Sequence, residues 1–289
     1  MSNNIKIFEL KGTLPGKTIV LLAGVHGNEI CGVKAFDNLI PSLEIESGRV
    51  LFIYANLKAI EENKRFVEKN LNRCFLTEQP KDIKDSLEGR TAREIIPLLN
   101  ESDVVLDIHA SNTQDSIPFV ICDEKDLDIA SILPTEIATY NWGPFEPGST
   151  DDYVNFLGKP GICIECGFAK DPSTINKAEE AILTFLRFFG AIKGEKPAPR
   201  KQKRYKIVSL YKNKDVPFSR TKPFSDFELL KERTLIGIDG IKEVYAEKGQ
   251  IILFVRDRTG LNEECFLTAI EVDEQDLIKY KNTKEVIKS

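Results

Sequence analysis

The chain has 289 residues, 42% of them apolar, which is enough for a large domain with a small companion. Its 45 acidic and 40 basic residues leave a net charge of -5, which excludes the basic footprint of a nucleic-acid-binding protein. The first residues lack a basic stretch followed by an apolar one, and no apolar run approaches the roughly 20 residues of a membrane helix, so a soluble cytoplasmic protein with no nucleic-acid or membrane partner is expected.

In chain order, strands are predicted at 5–10, 18–23, 50–55, 104–108, 117–121 and 161–165. Several are near-continuous apolar runs, as suits strands covered on both faces. Helices are predicted between them at 29–39, 92–99 and 127–138. The clearest helix pattern, 174–189, spaces Ile175, Ala178, Ile182, Phe185 and Phe189 by three or four residues and so forms one apolar stripe. Asp171 suits its cap, Pro172 and Ser173 its first turn, and Gly190 its end. Alternation of strand and helix argues for an α/β layered domain over 1–194. A proline-bearing cationic stretch, 195–204, reads as a solvated linker. Beyond it, 205–289 carries short strand patterns at 205–211, 235–238, 250–255 and 265–272, a small β-rich domain.

The six cysteines are scattered, and without an export signal they read as free thiols. Cys163 and Cys166 form a C-x-x-C, but residues three apart on a strand face opposite sides, so both read as small core residues.

The chain has two histidines, His26 and His109, and each follows an apolar run. Glu29 lies three residues after His26, and two imidazoles with one carboxylate form a zinc set with an open fourth position. Taken singly, His26 also fits a hydrogen-bonded loop histidine, and Glu29 an early-helix carboxylate favoured by the macrodipole. His109 ends its strand in phase with Asp107, at the carboxyl edge where α/β sheets collect sites, and Asp107 could orient it. Glu165 ends another buried run, which suits a general base or an ion-paired strand terminus. Arg65 could face a polarised carbonyl, and Asn72 with Arg73 could fork a carboxylate, although arginines are usually surface residues. No G-x-S-x-G elbow is present.

Read together, Gly24-Val-His-Gly-Asn-Glu29, Ala55-Asn-Leu-Lys-Ala59, Asn70-Leu-Asn-Arg73, Asp107-Ile-His109 and Ile164-Glu-Cys-Gly167 resemble the ordered motifs of the aspartoacylase / succinylglutamate desuccinylase family, within the zinc carboxypeptidase group. The resemblance implies a three-layer mixed sheet flanked by helices, with the C-terminal β-rich domain partly covering the site. It implies one zinc ion per chain on His26, Glu29 and His109, and Glu165 as general base and proton shuttle. Arg65 would polarise the scissile carbonyl, and Asn72 and Arg73 would hold the substrate's α-carboxylate. The implied activity is hydrolysis of the amide bond of a small N-acyl amino acid. The chain departs from aspartoacylase itself. Asn155 stands where that enzyme has the arginine that grips the substrate side chain, Ala246 stands in place of a tyrosine that neighbouring Tyr245 could replace, and Asn70 stands in place of an aspartate. Two other expectations are a metallocarboxypeptidase acting on short peptides or cell-wall fragments, and a metal-binding protein without catalysis. No pattern along the chain specifies an oligomeric state.

Overall fold

The computed structural model describes residues 4–273, so the last part of the expected 205–289 domain lies outside the described residues. The chain divides into two compact units, one of residues 4–138 and 142–202, the other of Thr139–Asn141 with the residues from Lys203 onward.

The first unit contains, in order, β1 (Lys6–Lys11), β2 (Leu14–Ala23), α1 (Cys31–Leu39), β3 (Ser47–Tyr54), α2 (Leu57–Glu62), α3 (Lys81–Lys84), α4 (Leu87–Glu101), β4 (Val104–Ser111), β5 (Phe119–Cys122), α5 (Leu127–Ala130), β6 (Ile137–Tyr140), α6 (Thr150–Phe156), β7 (Gly161–Phe168) and α7 (Ser173–Phe188). Residues 139–140 of β6 are counted with the second unit. The strands run β1-β3-β2-β4-β7-β5 across a mixed sheet. β3, β2, β4 and β7 are mutually parallel, while β1 and β5 are antiparallel to their neighbours. Every residue of β4 is buried, as is the stretch from Ile19 to Ala23 of β2, which explains their near-continuous apolar reading. On one face, Val20, Leu22, Ile53 and Val105 pack with Ala92, Ile95 and Leu99 of α4 and Val154 of α6. α1 and α7 pack against each other and against β4. Each such buried aliphatic side chain contributes about 1.5–3 kcal/mol.

The expected helix at 127–138 is not formed. α5 ends at Ala130, and 137–140 is strand β6. Pro134 accounts for the break, because a proline lacks the N–H a helix needs and biases its predecessor toward extended backbone. α4 runs longer than expected and starts at a Ser86 cap, whose Oγ accepts from Gly89 N at 3.0 Å. The 195–202 stretch is exposed yet fastened. Arg200 N donates to Ser131 O at 2.8 Å, and Gln202 Nε2 donates to Thr135 Oγ1 at 2.8 Å.

The second unit holds β8 (Lys203–Lys212), β9 (Phe218–Arg220), β10 (Glu228–Leu229), β11 (Thr234–Asp239), β12 (Lys242–Ala246), β13 (Ile251–Leu253) and β14 (Glu264–Glu271). They pair as β8-β14-β13-β10 and as a three-stranded β12-β11-β9. Its core gathers Phe218, Phe224, Ile236, Ile252, Val255 and Phe266. The short β9 and β10 were not anticipated, being too brief for an alternation to show, nor was β12, which opens on the charged pair Lys242-Glu243. No helix among the described residues is long and apolar enough to cross a membrane.

Candidate metal centre

His26 and Glu29 are not on one helical face. They are the corners of a turn closed by Glu29 N donating to His26 O at 3.1 Å, and α1 begins two residues later, at Cys31. Gly24 enters the turn with φ +69°, a left-handed conformation that favours glycine. Behind Gly27 stands the backbone of Ala59, with which a side chain would collide. His109 comes from β4, and its backbone pairs with that of Glu165 on β7. Paired residues of parallel strands project to the same face roughly 4.8 Å apart, so Glu165 stands beside His109.

The ligand atoms of His26, Glu29 and His109 all lie within 4.8 Å of one another, and the three residues are buried. Glu29 divides its carboxylate between the imidazoles. Oε1 is 2.9 Å from His26 Nδ1, and Oε2 is 2.9 Å from His109 Nδ1 and accepts from Ala110 N at 3.3 Å. The far nitrogens each face an oxygen. His26 Nε2 is 2.9 Å from Asn70 Oδ1, and His109 Nε2 is 3.0 Å from Asp107 Oδ2. Asp107 Oδ2 also accepts from the Thr150 hydroxyl.

Asn70 settles the tautomer of His26. Its Oδ1 already accepts from Asn72 N at 3.0 Å, so it faces His26 as an acceptor and the Nε2 must carry the proton. The Nδ1 lone pair then points at a Glu29 oxygen 2.9 Å away with no proton between them. Burial drives the His26 pKa down to about 4, with Arg65 adding to the shift and Glu29 opposing it, so a proton is not held there at neutral pH. Burial also opposes charge on His109, but Asp107 and Glu29 outweigh it and push the imidazole well above its ordinary value. Glu29 is held well below the usual carboxylate range despite its burial, with His109 Nδ1 against its Oε2. The cluster therefore calls for positive charge at its centre. A divalent cation fits the donor set of two imidazole Nδ1 atoms and one carboxylate. The Asn70 anchor on His26 Nε2, and the Asp107 carboxylate close to His109 Nε2, are the kind of support that metal-bound histidines receive.

The remaining expected residues sit as follows. Arg65 Nη1 donates to Glu29 Oε1 at 2.9 Å, so in this structure it meets a metal-ligand candidate, while its side chain stays 40% exposed. Asn72 and Arg73 lie in a short 3-10 turn capped by Asn70. Asn72 Oδ1 accepts from Thr150 N at 3.2 Å, and Arg73 Nη2 pairs with Glu146 Oε1 at 3.0 Å. Asn155 is spent on backbone, its Oδ1 accepting from Gly161 N and its Nδ2 donating to Gly161 O, which leaves it no role as a substrate grip. Tyr245, in the second unit, donates to Glu243 Oε2 at 2.8 Å and lies under the Arg233 guanidinium. Ala246 is buried in that unit's core.

Cys163 and Cys166 are both buried, and the thiol that Cys166 meets is that of Cys31.

Sequence reading missed a cavity of about 590 Å³ whose lining includes Asn28, Asn63, Asn112 and Lys170. Asn28 sits between the two ligand candidates of the turn. Its Nδ2 donates to Asn112 Oδ1 at 3.3 Å, and its buried Oδ1 has no hydrogen-bond partner. Asn112 directly follows β4 and Asn28 lies in the turn that follows β2, positions at the carboxyl ends of strands that could have flagged them.

The sequence profile described as the succinylglutamate desuccinylase/aspartoacylase catalytic domain matches residues 15–189. A Nostoc sp. protein named "Probable aspartoacylase" is 28% identical over 189 residues, covering 59% of this chain and 63% of that protein. The N-alpha-acetyl-L-2,4-diaminobutyric acid deacetylase of Halomonas elongata is 28% identical over 207 residues, covering 66% of this chain and 60% of that protein. The chain thus spans less than two thirds of the length of these relatives. In fold, the crystal structure of succinylglutamate desuccinylase from Vibrio cholerae superposes with a TM-score of 0.78 at 19% identity, covering 92% of this chain and 86% of that one. With the profile spanning more than half of its residues, the chain belongs to the succinylglutamate desuccinylase/aspartoacylase family.

Proposed function

We propose that the first unit is a zinc-dependent amidohydrolase that cleaves the amide bond of a small N-acyl amino acid. The observation that carries the reading is the His26 Nδ1 lone pair set 2.9 Å from Glu29 Oε1, an arrangement that a shared cation stabilises and that two acceptors alone do not. His26, Glu29 and His109 would hold the ion. Zinc bound there would lower the pKa of a water to about 7 and polarise the acyl carbonyl.

The chain's own residues supply the rest. Glu165, in register with His109, takes the attacking water's proton and returns it to the leaving amine. Arg65 has five N–H donors and uses one on Glu29, so its exposed fork can stabilise the developing oxyanion. Asn72 and Arg73 take the α-carboxylate, with the substrate displacing Glu146 from part of the Arg73 fork. The cavity beside Asn28 offers amide donors and acceptors, which suits a neutral polar group.

Family membership and the deacylase relatives support hydrolysis of N-acyl amino acids. The test is a zinc-loaded screen over N-acetyl, N-succinyl and N-formyl amino acids and short peptides. Glu165→Gln is expected to lower turnover at least about 10²-fold, the lower end of what a general base contributes, with zinc content unchanged. Loss of zinc in that variant would instead make Glu165 a ligand. Turnover of peptides alone would identify a carboxypeptidase, and zinc uptake without any hydrolysis would identify a binding protein.

A further inference from the structure

The loop from Lys64 to Asn70 has no helix or strand of its own, and each of its residues is partly or fully exposed. Even so, it touches the candidate metal centre at three points. Arg65 O accepts from Gly27 N at 3.3 Å, Arg65 Nη1 donates to Glu29 Oε1, and Asn70 Oδ1 meets His26 Nε2. A charged surface loop would not by itself hold three such contacts at once, because ordering it costs about 1–2 kcal/mol per residue in backbone entropy.

What orders it is one carboxylate. Glu88, in the first turn of α4, is fully buried. Its Oε1 accepts from Val67 N at 2.7 Å, its Oε2 accepts from Lys69 N at 2.9 Å, and Glu68 N reaches both oxygens, at 3.4 and 3.2 Å. Asn56 Nδ2 adds a longer contact of 3.4 Å to Oε1. Glu68 reciprocates, its Oε2 accepting from Leu87 N at the start of α4 at 2.5 Å. Three consecutive backbone amides thus converge on a buried anion, and they lie between Arg65 and Asn70, the two side chains that reach the metal ligands.

We propose that Glu88 is a positioning residue for the metal centre. It folds residues 67–69 around its carboxylate and so fixes Asn70 against His26 and Arg65 against Glu29. Its place in a metal centre rests on the function proposed above, while the clamp itself does not. A glutamine would not serve, since its NH₂ would face backbone N–H groups that need acceptors. An aspartate keeps both oxygens but withdraws them by one methylene.

The test compares the parent, Glu88→Gln, Glu88→Asp and, as a control on the same helix, the exposed Glu94→Gln. Amide hydrogen exchange is read in the metal-free proteins, zinc affinity by chelator competition, and kcat and KM on the best N-acyl amino acid. In the parent, the amides of Val67, Glu68 and Lys69 are expected to be protected although they lie in a half-exposed loop without regular structure. In Glu88→Gln that protection is lost, the zinc Kd rises about 10- to 100-fold, as for loss of other supports of metal ligands, and Glu88→Asp falls between. The control behaves as the parent. Unprotected amides in the parent, or loss of protection with unchanged zinc Kd, would overturn the proposal. If Glu88→Gln does not fold, the parent's protection pattern and the Glu88→Asp Kd decide. Absence of hydrolysis in every variant would sink the proposed reaction and leave the clamp standing.

Discussion

Buried carboxylates in this chain meet two different fates. Glu29, Asp107 and Glu88 are each matched by donors or cations close at hand. Asp151, in the first turn of α6, is 7% exposed and is pushed up to about 6 by burial, with Asp107 and Asp152 adding like charge against the help of the Ser149 hydroxyl. Below about pH 4, the folded and unfolded forms both carry the proton. As the pH rises, the unfolded chain sheds it near 3.8 while the folded form holds it to about 6, so the native state binds more protons and loses stability across that window. The difference of about 2 pH units corresponds to about 3 kcal/mol, withheld from the protein at neutral pH. Asp151→Asn keeps an acceptor for Ser149 and is expected to be more stable than the parent by up to that amount at pH 7. The gain should vanish below pH 4. Urea unfolding at pH 3.5, 5 and 7 checks this, and a gain independent of pH would assign it to packing instead. Asn70 illustrates what the sequence hid among such residues. The tetrapeptide Asn-Leu-Asn-Arg was legible as a motif, but its first residue as the anchor of a histidine 44 positions away was not, because nothing local to it records that contact.

Strands that carry the site were legible because their burial is nearly complete. Ile19 to Ala23 reads as an apolar run and 104–108 as one interrupted only by Asp107, and His109 and Glu165 follow from where such runs end. Helix starts were less legible. The apolar pattern after Gly27 allowed a helix from Glu29, whereas the observed turn places Glu29 beside His26 and delays α1 to Cys31. Glu88 lies outside the predicted helix at 92–99, and the backbone amides that meet its carboxylate come from a loop about twenty residues earlier. The delay of α1 has a packing reason. A Cβ at Gly32 would lie 2.9 Å from the Ala23 Cβ and 2.9 Å from the Ile108 Cγ2, so the helix's first turn is pressed against β2 and β4. These neighbours are stem atoms on rigid strands and cannot swing aside. Gly32→Ala gains about 1 kcal/mol of helix propensity and is charged about 1–3 kcal/mol for overpacking. A net loss of about 1 kcal/mol is expected in chemical denaturation. α1 should also ride outward, carrying Glu29 with it, so the zinc Kd should rise. An unchanged Kd with lowered stability would show that the turn holds Glu29 independently of the helix.

Both units bury all of their cysteines, and this ties folding to an accessible readout. Cys31, Cys74, Cys122, Cys163 and Cys166 belong to the first unit and Cys265 to the second, all six buried and none in a disulfide. Burial pushes Cys74 and Cys265 up to about 11 and raises Cys163 well above its ordinary value. For Cys166, the hydrogen bond with Cys31 leads and burial follows. At pH 7 a thiol with a pKa near 11 is thiolate in roughly one part in ten thousand, and the thiolate is the species that reacts. Native protein should therefore show no thiol that reacts rapidly with an aromatic disulfide reagent at pH 7, and denatured protein should release all six. Labelling of the native state then proceeds only through opening, so its rate should rise with sub-denaturing urea and fall when zinc is bound, because a ligand that binds only the folded form lowers the open population. A reductant should leave the unfolding midpoint where it was. A fast-reacting thiol in native protein would contradict the burial seen here, and a midpoint lowered by reductant would reveal a disulfide that this arrangement of thiols does not contain.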